Sequence, residues 1–198
     1  MKDFWDKRYD QNTFAYGKQP NKFFRNRIST VKPGNLLLPA EGEGRNAVYA
    51  ATLGWQVTAV DFSVKGRDKA LQLADEHGVT ITYKPESVDE VNLSENSFDA
   101  CALIYVHLPE NVYSKLFKKI AQALKPGGQL VIEGYSKKQL GKPSGGPKDE
   151  SLLYSLKQVK GWLSDYKIEL LKETNVELNE GVYHRGEASV IRALATKK

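Results

Sequence analysis

Two glycines, Gly42 and Gly44, stand among charged residues in the stretch Ala40-Glu41-Gly42-Glu43-Gly44-Arg45-Asn46, and Asp61 follows Gly42 by 19 positions. An apolar run, Leu36 to Leu38, stops at Pro39 just ahead of them. A small-residue helical pattern comes after, then Gly54, then a second apolar run that ends at Asp61. Each piece has a mechanical use. Glycines tolerate positive φ and let a ligand come close to the backbone. A helix start presents N–H groups suited to a carboxylate or phosphate. A carboxylate at the tip of a second strand can accept hydrogen bonds from the two hydroxyls of a ribose. The spacing predicts a nucleoside-binding loop.

The charges narrow the choice of nucleoside. A dinucleotide would lay its pyrophosphate over the helix start, where Glu41 and Glu43 would crowd it. S-adenosylmethionine carries no phosphate and brings a positive sulfonium and an amino group, which acidic residues suit better. A short-chain dehydrogenase is expected to show Tyr-x-x-x-Lys, and none of the ten tyrosines has lysine four positions on.

These residues need a scaffold, and the rest of the chain reads as one. Val48 and Ala51 fit a short helix closed by Gly54. Trp55–Val60 reads as a buried strand, residues 64–77 as a helix closed by Gly78, and Val79–Lys84 as a third strand. Phe98–Val106 is apolar enough to be buried on both faces. Val112, Leu116, Ile120 and Leu124 line one face of a helix ended by Lys125-Pro126-Gly127-Gly128, ahead of a fifth strand, Gln129–Tyr135. A long loop rich in glycine and proline then precedes an amphipathic helix carrying Leu152, Leu156, Val159 and Leu163. Two consecutive strands close the chain, Tyr166–Asn179 and Glu187–Thr196. Alternating strands and helices predict a Rossmann-like, doubly wound α/β domain with a mostly parallel seven-stranded sheet and a C-terminal antiparallel pair. Ligands in such sheets sit beyond the carboxyl ends of the strands.

The stretch Gly42-Glu43-Gly44-Arg45-Asn46 through Asp61-Phe62-Ser63 closely resembles motif I and the end of strand two in class I S-adenosylmethionine-dependent methyltransferases. With Phe4-Trp5-Asp6-Lys7-Arg8-Tyr9 and Phe14-Ala15-Tyr16-Gly17 ahead of it, it is similar to the tellurite-resistance branch of small-molecule methyltransferases. The resemblance runs from Phe4 to the last strand, including Gly181-Val182-Tyr183-His184-Arg185-Gly186. It implies S-adenosylmethionine as cofactor, held by Tyr16, Ala40, Glu41, Gly42, Glu43, Gly44, Arg45, Asn46, Asp61, Phe62, Ser87, Val88 and Tyr105. Tyr105 and His107, after strand four, become the candidate catalytic residues, with His107 able to accept a proton near neutral pH. His184 reads more as a turn residue than as a catalyst, and Glu133 ends strand five beside the pocket. The pattern departs from the family at strand one. Leu38 replaces the usual acid, Ala40 replaces the first glycine, which predicts an altered loop path, and Glu41 is the substitute orienter of the methionine amino group.

At 198 residues the chain reads as a single domain: an N-terminal cap segment, 1–30; a cofactor-binding core, 31–135; and a substrate-side loop, helix and final strands, 136–198. Trp5, Tyr9, Phe14 and Tyr16 predict a cap that folds over the cofactor, and Gly145-Gly146 with Lys142 and Lys148 predict a second lid over an anionic acceptor. The net charge of +5 is spread among acids with no basic run longer than two, so no nucleic-acid partner is expected. Nor is a target-recognition domain or a Pro-Cys nucleophile legible. His77, His107, His184 and Cys101 lack ligand spacing, so no metal is expected. No apolar run nears the ~18 residues of a membrane helix, and the lone Cys101 forms no internal disulfide; a cytoplasmic enzyme without membrane partner is expected. The acceptor is a small molecule, a thiol or a chalcogen oxyanion by resemblance. The other classes left open are a protein that binds the cofactor without turnover and a methyltransferase acting on nucleic acid or protein. Oligomeric state is unread.

Overall fold

A computed structural model describes residues 2–198. Two short helices open the chain, α1 (Lys2–Tyr9) and α2 (Lys22–Ile28). The core then alternates β1 (Asn35–Pro39), α3 (Arg45–Thr52), β2 (Gln56–Val60), α4 (Val64–Glu76), β3 (Thr82–Lys84), β4 (Phe98–Ile104), α5 (Glu110–Ala123) and β5 (Leu124–Tyr135). It ends with α6 (Leu156–Trp162), β6 (Tyr166–Glu180) and β7 (His184–Lys197). The seven strands lie in the order β3-β2-β1-β4-β5-β7-β6. All neighbours are parallel except β7, which runs antiparallel to β5 and β6. This is a Rossmann-like, doubly wound α/β fold with the expected C-terminal antiparallel pair.

The pleat sorts the apolar residues into two layers. Leu37, Cys101, Leu103 and Ile132 face α5, which supplies Leu116 and Ile120. Leu36, Leu38, Ala100 and Ala102 face the other way, onto α2, α3 and α4 through Phe24, Ala47, Ala70 and Leu73. Because β1 pairs with both β2 and β4, the connections leaving β1 and β4 part company at their carboxyl ends. The crevice formed there is where Ala40–Asn46 and Tyr105 lie.

Three sequence expectations change in detail. Strand three is only Thr82–Lys84, and among the described residues no helix joins it to β4. The helix expected across Leu152–Leu163 is broken: Glu150–Leu152 forms a 3₁₀ turn, and a fresh helix begins at Leu156. Ser155 imposes that start, since its hydroxyl accepts from the Gln158 amide while the Gln158 side chain accepts in return, a capping box. The long glycine-rich connection is also no open loop. It holds a 3₁₀ turn at Lys137–Gln139, and Ser144 is buried, donating to the Glu187 carbonyl at 2.6 Å. No helix among the described residues is long and apolar enough to cross a membrane.

Candidate functional site

The loop after β1 is built on left-handed backbone. Ala40, Gly42 and Gly44 have φ of +53°, +63° and +84°. Ala40 takes the conformation a glycine would take freely, so the loop keeps a glycine-like path there at a cost of roughly 1 kcal/mol. The Gly42 amide donates to Asp61 Oδ2 at 3.0 Å, and its carbonyl accepts from the Tyr83 hydroxyl at 2.7 Å. A side chain at Gly42 would strike the Tyr9 hydroxyl, with Cβ only 2.5 Å from it. At Gly44 the neighbour is different: Cβ would lie 2.5 Å from Ala70 Cβ on α4. Gly44 is therefore small so that α3 and α4 can meet, not to leave room for a ligand.

Asp61 sits 6% exposed at the end of β2. Its second oxygen accepts from the Ser63 amide at 2.9 Å. A carboxylate offers about four lone-pair positions, so one on each oxygen remains for a pair of ribose hydroxyls. Burial raises its pKa to about 6. Tyr9 of α1 packs against Gly42, whose amide binds Asp61, with the Trp5 ring stacked on it at 5.5 Å. Phe62, beside Asp61, is half-buried.

The charged residues of the loop mostly turn away from the crevice. Glu41 Oε1 accepts from the Asn46 and Ala47 amides, both at 2.8 Å, and so caps α3 from within the chain. The helix-start N–H groups expected to meet a ligand are thus partly taken. Glu41 Oε2 holds only a 3.4 Å contact from Asn46 Nδ2 and keeps acceptor capacity toward an amino group. Crowding by protein atoms raises the Glu41 pKa to about 7. Glu43 accepts from the Ala15 amide and from Lys69 Nζ, each at 2.8 Å. Arg45 donates to Glu180 at 2.8 Å and to the Tyr16 carbonyl at 3.2 Å. Asn46 Oδ1 accepts from the Asn21 amide at 2.9 Å. These three were expected to hold a cofactor; the structure has them hold the N-terminal segment.

Across the crevice, Tyr105 follows β4 with φ +54°, a strained conformation for an aromatic residue. Its hydroxyl donates to Glu133 at 3.1 Å and its amide to the Glu133 carbonyl at 2.7 Å. Glu133 is also bound by Asn21 at 2.6 Å and by Arg192. Around His184 stand the rings of Tyr16, Tyr105 and Tyr135, at 4.4, 4.5 and 5.4 Å. His184 Nδ1 is buried without a hydrogen-bond partner among the described residues, 3.5 Å from Glu180 Oε2. Burial lowers the pKa of His184, so the ring is neutral at pH 7. Burial would raise the Glu180 carboxyl, but the Arg45 guanidinium 2.8 Å away outweighs it and holds the carboxyl well below the usual range. Gly145, at φ +105°, lies against this group: a Cβ there would come 2.9 Å from the Tyr135 hydroxyl and 3.1 Å from His184 Cδ2.

His107 is placed otherwise than expected. Its Nε2 accepts from the Tyr135 amide at 3.1 Å, so Nδ1 carries the proton and donates it to the Leu152 carbonyl at 2.8 Å. Burial pushes its pKa down to about 4. With both nitrogens committed, His107 bridges β5 to the following loop and has none free to take a proton. Ser87 and Val88 are likewise turned inward. The Ser87 hydroxyl donates to Asp89 at 2.6 Å and the Val88 side chain is in the core, leaving backbone groups to meet a base. The sequence reading undervalued His184, Tyr135 and Glu180. The quoted Gly-Val-Tyr-His-Arg-Gly segment was the available signal. Among the described residues no group of three or more His, Cys, Asp or Glu is placed to hold a metal ion.

Residues 39–128 match a protein family described as "Methyltransferase domain". Two curated proteins align with part of the chain. The ubiquinone/menaquinone biosynthesis C-methyltransferase UbiE of Bdellovibrio bacteriovorus is 29% identical over 54% of this chain and 46% of its own length. The ubiquinone biosynthesis O-methyltransferase of Xanthomonas axonopodis pv. citri is 33% identical over 46% of this chain and 38% of its own. The chain thus aligns with less than half the length of either. Among solved structures, TehB from Haemophilus influenzae shares the fold at a TM-score of 0.75 and 18% identity, covering 100% of this chain and 67% of that one. A structure titled for conversion of a disulfide bond into a thioacetal group during echinomycin biosynthesis does so at 0.74 and 18%, covering 100% and 92%.

Proposed function

We propose that this chain, whose residues 39–128 match a methyltransferase domain, transfers a methyl group from S-adenosylmethionine to a small-molecule acceptor, a thiol or a chalcogen oxyanion. The observation that carries this reading is the placement of two complementary half-sites on one crevice. Asp61 with Gly42 lies on one side, and His184 in its box of three tyrosines on the other. When bound, the cofactor would supply an electrophilic methyl carbon, whose bond to the positive sulfur breaks, leaving a neutral thioether, as the bond to the acceptor forms in line. Asp61 has the free acceptor positions to take both ribose hydroxyls, and Glu41 Oε2 can take the amino group. The tyrosine rings present polarisable faces to a soft acceptor and to positive charge. Neutral His184 can receive the proton of a thiol, and Glu180 beside it stabilises the imidazolium that results. Catalysis of such a displacement is mostly positioning, with little else required.

The roles of Glu43, Arg45 and Asn46 are to hold the cap, and with it Tyr16, against the acceptor side. The tellurite-resistance branch is the part of the reading carried only by motif resemblance and shared fold. The test is formation of S-adenosylhomocysteine by purified protein with a panel of thiols, selenite and tellurite. Turnover with none of them, while S-adenosylmethionine still binds, sinks the acceptor class. One observation favours a second reading, a protein that holds the cofactor without turnover: Tyr9 already packs against Gly42. Binding without turnover across a broader acceptor screen would establish it.

A further inference from the structure

Arg8 carries a charge without a counter-charge. Its guanidinium carbon lies 4.0 Å from the centre of the Tyr183 ring, 4.8 Å from that of Phe4 and 5.7 Å from that of Trp5. One of its five N–H donors reaches the Tyr16 hydroxyl at 3.1 Å. Among the described residues it makes no ion pair, whereas Arg45 is neutralised by Glu180 and Arg192 by Glu133. Its surroundings place it on a seam. Tyr16, its hydrogen-bond partner, packs against His184, and Trp5, one of the rings beside its guanidinium, stacks on Tyr9, which packs against Gly42. The cofactor side and the acceptor side of the crevice therefore both come within reach of this one side chain.

Three rings crowd the guanidinium, and among the described residues only one of its N–H groups has a hydrogen-bond partner, so the remaining donors are available to a ligand. A flat fork of N–H donors matches a carboxylate, which can accept two parallel bonds. Lysine in the same place would keep the charge and lose the fork. We propose that Arg8 is a carboxylate-binding residue of this site, gripping a ligand's carboxylate with the guanidinium edge that no protein group uses. The proposal rests on the methyltransferase reading. Two ligands of that reaction can bring the group: the amino-acid end of the cofactor, and an acceptor that bears a carboxylate. The competing role is a clamp that joins α1 to the β6–β7 turn by ring stacking alone.

Calorimetry on the wild type, R8K and R8Q separates these. The first arm compares S-adenosylhomocysteine with 5′-methylthioadenosine, which lacks the amino-acid end. The second, in protein saturated with S-adenosylhomocysteine, compares 3-mercaptopropionate with 3-mercaptopropionamide. Loss of a charge-assisted bidentate contact should weaken a carboxylate ligand at least about tenfold in both variants. The carboxylate-free partner should stay within about twofold. A loss confined to the first arm assigns the carboxylate to the cofactor; one confined to the second assigns it to the acceptor; either supports the proposal. Unchanged affinity in both arms, or equal weakening of all four compounds, overturns it and leaves Arg8 a clamp. Melting temperatures of the variants check the fold, and R8K retains the charge and much of the ring contact. A wild type that binds neither nucleoside overturns the methyltransferase reading itself, and this proposal with it.

Discussion

The carboxylates on the two sides of the crevice live under opposite conditions. On the cofactor side, Glu41 and Asp61 are satisfied by N–H groups alone, with no cation in contact, and burial raises them to about 7 and about 6. On the acceptor side, Glu133 and Glu180 are paired with Arg192 and Arg45, and Glu180 is held well below the usual range. One side holds acceptor capacity that the protein itself leaves unfilled. The other is complete without a ligand. The difference is what the proposed roles require: hydroxyls and an amino group taken up on the first side, and a frame already paired around His184 on the second.

Removing one partner of a finished pair should do the most damage. Arg45→Met leaves Glu180 without its guanidinium in a mostly buried place, and loss of one partner of such a pair costs about 3–5 kcal/mol. Chemical denaturation at pH 7 should show a loss of that order; a change below about 1 kcal/mol would mean the acceptor side is not a frame held by its ion pairs.

The unfilled side should respond in binding. Asp61→Ala should weaken S-adenosylhomocysteine at least about tenfold, since each hydrogen bond to a charged group contributes about 1.5–3 kcal/mol. In the wild type, affinity should fall as pH drops below about 6, where Asp61 protonates and loses acceptor positions. The limiting slope is about tenfold per pH unit. Flat affinity between pH 5 and pH 7 would remove ionised Asp61 from recognition.

A smaller effect should appear in the stability of the free protein. Glu41 and Asp61 have folded pKa values raised above their unfolded ones. The folded state therefore binds more protons between those values, and this contribution is present at low pH and lost as pH rises through about 6 and then about 7. Glu41→Gln keeps an oxygen for the α3 amides and cannot ionise, so it should flatten the decline in urea midpoint between pH 6 and pH 8. A decline as steep as in the wild type would place the titration elsewhere. The smallest effect is at Ala40. Ala40→Gly relieves a left-handed alanine and should raise stability by up to about 1 kcal/mol, less the entropy glycine loses on folding. A loss in its thermal midpoint would show that the loop carries no strain there.

What could be read from the sequence was what lies close along the chain. Gly42 and Asp61 are separated by one helix and one strand, and the apolar periods of those elements announce where each must end. The acceptor side is assembled from Tyr16, Tyr105, Tyr135 and His184, residues that meet only once β7 inserts between β5 and β6. No local period encodes that meeting. His107 was preferred over His184 for the same reason: it stands next to a legible strand, while its commitment to the Leu152 carbonyl depends on a loop 45 positions on. Glu43, Arg45 and Asn46 are legible as a motif, but their contacts with Ala15, Tyr16 and Asn21 are not, because those residues precede the sheet in a segment of weak pattern.

Asn21 donates through its amide to Asn46 and through its side chain to Glu133 and Glu180. The segment that carries it also carries Tyr9, which packs against Gly42, and Tyr16, which walls the acceptor box. If the nucleoside enters beside Gly42, where Tyr9 packs, this segment must shift to admit it, and a movement of the whole segment would take apart the proposed acceptor place. For a two-substrate enzyme this is a statement about kinetic order. It predicts a compulsory sequence in which the methyl donor enters first and its demethylated product leaves last, with departure of that product pacing the cycle.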